Sequence, residues 1–192
     1  MRVTSKNILP AVILLAGALA ARATTIDQSA AAVNFTSGWT SVGQTLTSPG
    51  GDLTSYSFWL YSNVPTITFE VLSGDVQTSN TILYSTTLKF SGPGEVSVNG
   101  LNIPTTDGDL YSVLLDLNGF GGPSVLFGPN TYSGGWGEWG YGSSVTEYDN
   151  RTIETGFVAD FSGTATPEPS SLILLSTGLL GVVEALRRKL KA

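Results

Sequence analysis

Alternating hydrophobic and polar residues run through the middle of the chain and predict β-strands. In the segment TITFEV, for example, Ile67, Phe69 and Val71 alternate with polar residues, which is the period of a strand with one buried face. The same alternation predicts strands at Leu53–Tyr61, Thr81–Phe90, Tyr111–Leu117 and Gly156–Phe161, and shorter ones at Val96–Val98 and Val125–Phe127. No helical period persists between residues 24 and 166.

Turn-forming residues separate these strands. Glycine, proline, aspartate and asparagine cluster at Ser48–Asp52, Ser73–Asp75, Ser91–Gly94, Asp107–Asp109 and Asn118–Gly119, the residue types that tight turns favour. Eight or nine strands separated by such turns predict an all-β fold, an antiparallel β-sandwich of the jelly-roll type, over residues 24–164. A solenoid with one strand per turn is the alternative, and the lack of a fixed repeat period disfavours it.

The first 23 residues have the organisation of a secretory signal peptide. Arg2 and Lys6 precede an apolar run, and Ala21-Arg22-Ala23 supplies the small residues that signal peptidase recognises. Cleavage after Ala18-Leu19-Ala20 is the alternative. The apolar run is short for a transmembrane helix, so we expect signal peptidase to remove residues 1–23.

The last 28 residues, 165–192, carry a second set of hydrophobic and charged features. Pro167, Glu168 and Pro169 are followed by an apolar helix predicted over residues 171–186. A basic end then comprises Arg187, Arg188, Lys189 and Lys191. The prolines prevent the helix from extending backwards, and a basic cluster after an apolar span stays on the cytoplasmic side of a membrane as a stop-transfer signal. A simple tail anchor is the alternative.

In this order, the features resemble the PEP-CTERM sorting signal of Gram-negative bacteria. The resemblance implies that the C-terminal helix holds the protein in the inner membrane during transit, until an exosortase-type membrane enzyme processes it near Pro167-Glu168-Pro169. It also implies a product associated with the cell envelope surface or an exopolysaccharide matrix. Glu184 departs from the apolar pattern, but it lies within reach of Arg187 and Arg188 on a helix.

The net charge of the predicted sandwich, which we call the body, limits the kinds of partner that it can bind. Between residues 24 and 166, thirteen acidic residues face two basic ones, Lys89 and Arg151, for a net charge of −11. Nucleic acid binding requires a basic surface that neutralises phosphates, so nucleic acid is excluded as a partner. Anionic lipid would be repelled by the body as well.

The chain contains no cysteine and no histidine. Thiolate catalysis, a Ser-His-Asp triad and the usual zinc sites are therefore impossible. We expect the protein not to be an enzyme. A glycosidase that uses two carboxylates remains the catalytic alternative, since thirteen acids could form such a pair.

The body also resembles the galactose-binding-like jelly rolls of many PEP-CTERM proteins. The resemblance is carried by Val42–Leu46, Leu53–Leu60, Asn130–Gly135 and Phe157–Phe161. It implies a sandwich of a kind that often binds carbohydrate, although a fold does not determine a function.

A glycine-rich aromatic segment is the strongest candidate binding site. Trp136, Trp139 and Tyr141 lie within six residues, flanked by glycines, with Glu138 among them. Sugar rings stack on aromatic faces and a carboxylate accepts hydrogen bonds from hydroxyls, so these four residues are predicted to form a glycan-binding loop. The alternative is a glycine-rich hairpin whose tryptophans belong to the core.

Asp107, Asp109 and Asp116 could supply oxygen ligands to calcium, the one cofactor that the composition leaves open. Their spacing matches no EF-hand loop. The expected function is thus that of an exported, non-catalytic protein associated with exopolysaccharide. A purely structural matrix or coat protein with no small ligand is the second hypothesis.

Overall fold

The computed structural model describes residues 23–31, 34–35, 39–61, 66–76, 81–90, 92–119, 125–141 and 144–163, together with Gly178. These residues contain thirteen strands: β1 (Thr24–Asp27), β2 (Asn34–Phe35), β3 (Ser41–Thr47), β4 (Gly51–Leu60), β5 (Thr66–Ser73), β6 (Ile82–Lys89), β7 (Gly94–Thr105), β8 (Leu110–Asp116), β9 (Leu126–Pro129), β10 (Gly137–Tyr141), β11 (Ser144–Asn150), β12 (Ile153–Thr155) and β13 (Phe157–Phe161). A short 3₁₀ turn lies at Ser29–Ala31.

The strands form two large antiparallel sheets and one small one. The four-stranded sheet has the order β1-β13-β4-β7, and the six-stranded sheet has the order β11-β10-β3-β8-β5-β6. Along the chain, β3 to β8 pass between the two sheets, with only β5 and β6 consecutive in one sheet. This order is that of a jelly roll, extended at one edge by β10 and β11. The small sheet, β12-β9-β2, lies outside that pattern.

Alternate side chains from the two large sheets fill the space between them. Phe69 lies opposite Leu115 in the β5–β8 pair, and Tyr56 lies opposite Ala159 in the β4–β13 pair. All four are buried. Residues directly opposite each other in a sheet point to the same face, so each pair contributes one row to the core. The ring of Tyr56 stacks on Phe157 at 5.6 Å.

The predicted all-β antiparallel sandwich is confirmed. The longer segments with clear alternation correspond to β4, β5, β6, β8 and β13. The alternation does not identify β3, because Ser41–Leu46 is buried on both faces and its polar residues are as inaccessible as its apolar ones. Strand β10 is also missed, since its glycines and acid are typical of a loop.

The contacts within the chain divide it into two compact units. One is Ala23–Thr164, and the other combines Met1–Arg22 with Ala165–Ala192. Among the described residues, none belongs to a helix with the length and apolarity needed to cross a lipid bilayer. The predicted signal peptide and the predicted helix at 171–186 fall outside the described residues, except for Ala23 and Gly178. Both segments stay predictions.

Candidate functional site

Residues 134–136 lie directly along strand β3. The Thr47 N–H and hydroxyl both donate to the Gly134 carbonyl at 2.7 Å. The Thr45 N–H donates to the Trp136 carbonyl at 2.9 Å, and the Thr45 hydroxyl accepts from the Trp136 N–H at 2.8 Å. Strand β10 then continues the pairing with β3. The segment predicted to be a glycan-binding loop is therefore part of the sheet.

The glycines of this segment are explained by close backbone approach. A Cβ at Gly135 would overlap the Thr45 carbonyl oxygen, and a Cβ at Gly137 would lie 3.2 Å from the Glu154 Cα. Neither glycine has a positive φ, so the requirement is for space rather than for an unusual conformation. The glycines admit neighbouring strands and do not expose the aromatic rings between them.

Two of the predicted glycan contacts are buried. Trp139 is 8 % exposed, and its ring packs on Phe127 at 5.5 Å and stacks on Trp39 at 6.3 Å. Glu138 is 0 % exposed, and its Oε1 accepts a bond from the Trp136 indole N–H at 3.3 Å. Their prediction as glycan contacts is corrected on this ground, because side chains this deeply buried present no surface to a polysaccharide.

Trp136 is half-buried and partly engaged within the protein. The Arg151 guanidinium carbon lies 4.6 Å from the centre of the Trp136 ring, which is the geometry of a cation–π interaction. A sugar stacking on that face of the ring would have to displace Arg151. The side chain of Tyr141, the fourth predicted contact, lies outside the described residues.

A buried carboxyl group that sequence reasoning missed anchors the turn before this segment. Glu154 is 0 % exposed. Its Oε1 accepts from the Thr131 N–H at 3.3 Å and hydroxyl at 3.0 Å, and its Oε2 accepts from the Tyr132 N–H at 3.1 Å. Asn130 extends the network by donating to the Gly135 carbonyl at 2.9 Å. These bonds assign Glu154 a structural role.

A second polar group is buried inside the sandwich. Gln44 accepts from the Thr155 N–H at 2.8 Å and from its hydroxyl at 3.1 Å. Burial raises the pKa of the nearby Tyr56 phenol, and a hydrogen bond with Thr155 opposes the rise. Gln44 has the same strand parity as the core residues Val42 and Leu46. That parity is the sequence signal that could have revealed it.

The acidic residues predicted to bind calcium do not converge. Asp107 and Asp109 are exposed in the turn before β8, whereas Asp116 ends that strand, about 20 Å further on at the usual strand rise. Asp116 Oδ1 accepts from the Asn118 N–H at 2.9 Å. One ion cannot contact all three carboxylates. Within the described residues, no group of three or more acidic side chains could hold a metal ion.

The outer surface of the four-stranded sheet carries mostly polar side chains. We call it the open face, which includes Thr25, Asp27, Ser55, Ser57, Trp59, Glu95, Ser97, Asn99, Val158 and Asp160. Asp160 accepts from the Thr25 hydroxyl at 2.6 Å and from the Ser55 hydroxyl at 2.7 Å. The hydroxyls of Ser57 and Ser97 lie 2.7 Å apart.

Trp59 and Val158 are the apolar side chains on this hydroxyl-rich surface. Trp59 is half-buried and lies opposite the exposed Glu95 in the β4–β7 pair. Neither Lys89 nor Arg151, the two basic residues of the body, belongs to a strand of this sheet. The open face therefore combines an aromatic ring, hydroxyls and carboxyl groups without a positive charge.

A family model described as the PEP-CTERM protein-sorting motif matches residues 165–189. The chain carries a PEP-CTERM sorting motif. The match confirms the resemblance drawn from Pro167-Glu168-Pro169, the apolar run and the basic end. A PEP-CTERM motif implies export, a membrane-anchored state in transit and processing by an exosortase-type enzyme.

One solved structure supports the fold of the body that precedes the PEP-CTERM motif. The clostridial cysteine protease Cwp84 after propeptide cleavage is 10 % identical over 74 % of this chain and 40 % of that one, with a TM-score of 0.52. The chain thus spans less than half the length of that protease chain, and at this identity the likeness concerns the fold alone.

Two further structures are more distant. The tobacco streak virus coat protein is 8 % identical, covering 77 % of this chain and 90 % of that one at a TM-score of 0.34. TmCBM61 in complex with β-1,4-galactotriose is 17 % identical, covering 73 % and 81 % at a TM-score of 0.30. Scores this low carry no functional argument. No curated protein matches the chain.

Proposed function

We propose that the protein is an exported, non-catalytic jelly roll of the cell surface or extracellular matrix that associates with exopolysaccharide. The observation that carries this proposal is the PEP-CTERM motif at residues 165–189, attached to an acidic β-sandwich. The motif directs sorting, and the body is the part of the chain that remains after processing.

Features at the two ends of the chain support export from a Gram-negative cell. Residues 1–23 direct export and are removed by signal peptidase. The apolar run at 171–186 and the basic end then hold the chain in the inner membrane until the exosortase-type enzyme acts near the motif. The product is the acidic body at the envelope surface or in the surrounding matrix.

Several features support a non-catalytic body. The chain has neither histidine nor cysteine, which removes the commonest general base and the thiolate nucleophile. Of the buried acids, Glu154 is committed to holding the turn at Thr131 and Tyr132. A carboxylate-dependent glycosidase would need two carboxyl groups facing each other across a cleft.

The open face is the surface we assign to polysaccharide. Trp59 offers part of an indole face for stacking against a sugar ring. The surrounding hydroxyl and carboxyl groups can exchange hydrogen bonds with sugar hydroxyls. Because the open face contains acidic groups and no cation, a neutral polysaccharide fits it better than an anionic one. Trp136 and Tyr141, the two residues of the predicted site that are not shown to be buried, remain the alternative contact.

The test is affinity electrophoresis of the processed protein in gels containing the host's own exopolysaccharide. Trp59→Ala is expected to weaken binding at least about tenfold, a loss of ~1.4 kcal/mol, because it removes the ring on which a sugar would stack. Trp136→Ala is the matched control, since it removes an equally large, half-buried ring at a different place. Circular dichroism would verify that both variants are folded.

Two outcomes would reject parts of this proposal. If only Trp136→Ala weakens retardation, the contact lies at the predicted segment and not on the open face. If the unmodified protein is not retarded by any polysaccharide, the second hypothesis replaces the first. The burial of Glu138 and Trp139 favours that hypothesis, a structural matrix or coat protein with no small ligand.

A further inference from the structure

The body holds the chain as far as Ser162, the residue that follows strand β13. The Ser162 N–H donates to the Asp52 carbonyl at 2.8 Å, and the Ser162 hydroxyl accepts from the Asp52 N–H at 2.8 Å. A Cβ at Gly51 would overlap the Ser162 carbonyl oxygen, so the two backbones are in close contact. Ser162 is therefore fastened to the first residues of β4.

Strand β13, just before this point, is not easily withdrawn from the body. It lies between β1 and β4 in the four-stranded sheet and pairs with both of them. Phe157 and Ala159 are fully buried, and Phe161 is 1 % exposed. Releasing Phe161 would break its pairing with Thr24 and Leu53 and expose an aromatic ring to water. The folded body therefore ends at a fixed place in the sequence.

The sorting motif follows this fixed end after a short connection. Only residues 163–166, with the sequence Gly-Thr-Ala-Thr, separate Ser162 from Pro167. None of the four is charged, none is proline, and none has a side chain larger than that of threonine. Five Cα–Cα steps join Ser162 to Pro167, so these two Cα atoms are at most about 18 Å apart. An enzyme that acts near the motif must therefore work close to the body.

The order of the chain places every strand of the body before the motif. A chain exported from its N-terminus presents Phe161, the end of β13, before it presents Pro167. All-β domains fold in roughly milliseconds to seconds, and the predicted C-terminal helix retains the chain at the membrane after translocation. Given the export route proposed above, the processing enzyme therefore meets a sandwich that has already closed.

We infer that residues 163–166 are a spacer whose length lets the exosortase-type enzyme cut the chain while the sandwich is closed. An enzyme that binds a peptide segment usually holds it extended through main-chain hydrogen bonds. Residues up to Ser162 already make such bonds within the body, so the enzyme has to use residues that follow it. The small, uncharged side chains of the spacer suit a segment that passes between the body and the enzyme.

A series of spacer lengths in the full chain, expressed in the native host, tests this role. Deletion of residues 163–166 removes the spacer, deletion of residues 163–164 halves it, and eight glycine and serine residues inserted after Ser162 lengthen it. Pulse-chase labelling would follow conversion of the precursor to the shorter product. Without the spacer, conversion is expected to be at least about tenfold slower, because the bond is held away from the enzyme's reacting groups. The lengthened chain should be converted at the natural rate.

The matched control keeps the length of the spacer and changes its sequence, by combining Gly163→Ser, Thr164→Ala, Ala165→Gly and Thr166→Ser. It should be converted at the natural rate. Limited proteolysis would verify that the body without a spacer is as resistant as the unmodified one. Equal rates for all spacer lengths, or slow conversion of the control, would overturn the spacer role while leaving the proposed sorting intact. An unmodified chain that keeps its C-terminal helix would reject the sorting itself, and the spacer role with it.

Discussion

Replacement of Phe69 by alanine is expected to lower the free energy of unfolding by about 3–5 kcal/mol. Phe69 is 0 % exposed and lies on β5 of the six-stranded sheet. Its ring contacts Phe58 at 6.4 Å and Tyr56 at 5.9 Å, both on β4 of the opposite sheet, and Tyr84 at 6.2 Å. Removing it therefore leaves a cavity between the two layers, where neighbouring rings cannot easily collapse.

Urea denaturation followed by tryptophan fluorescence would measure this loss. A domain of this size has a total stability of only about 5–15 kcal/mol, so the variant is expected to melt at least about 10 °C lower. Tyr61→Ala removes a ring that is 54 % exposed, and it should change stability by less than about 1 kcal/mol. Similar losses for the two variants would contradict the burial assigned to Phe69.

Replacement of Gly135 by alanine is expected to cost about 3 kcal/mol. The new Cβ would overlap the Thr45 carbonyl oxygen, and neither backbone can move without breaking the bonds between Thr45 and Trp136. Because Gly135 does not have a positive φ, the loss measures steric overlap and not backbone strain.

Gly43→Ala is the matched control for this substitution. Gly43 is also buried and lies on β3, the strand that Gly135 contacts, but its added Cβ would lie 3.4 Å or more from the neighbouring atoms. Alanine is more favourable than glycine in a strand by about 0.5–1 kcal/mol, so this variant should retain full stability. If Gly135→Ala were equally stable, residues 134–136 would not lie against β3 as described.

The sandwich could be predicted from the sequence because its core strands have one buried face. Strand β5 is predicted by the alternate spacing of Ile67, Phe69 and Val71 alone. Strand β3 could not be predicted in this way, since Thr45 and Ser41 are as buried as Val42. Burial of both faces depends on which strands become neighbours in space, and local periodicity does not indicate which strands pair.

The candidate site shows the same limit more clearly. In the sequence, Trp136 and Trp139 form an aromatic cluster among glycines, with Glu138 between them. In the structure, however, Trp139 packs on Phe127, and the backbone of Gly135 lies against Thr45. Both contacts join residues far apart in the sequence. The open face could not be predicted either, because Trp59 and Glu95 become neighbours only through the β4–β7 register.

The sorting motif could be predicted because all of its residues lie in one continuous segment. The order of Pro167-Glu168-Pro169, an apolar run and a basic end needs no tertiary contact to be recognised, and the family match at residues 165–189 confirms it. The identity of the ligand depends instead on side chains brought together by folding.

The intact mass and location of the protein in its native host would test the proposed export and processing most directly. We expect a polypeptide recovered from the envelope surface or the extracellular matrix, beginning near residue 24 and ending close to Pro167-Glu168-Pro169, without the basic end. The unprocessed chain of 192 residues, found dissolved in the cytosol, would contradict it.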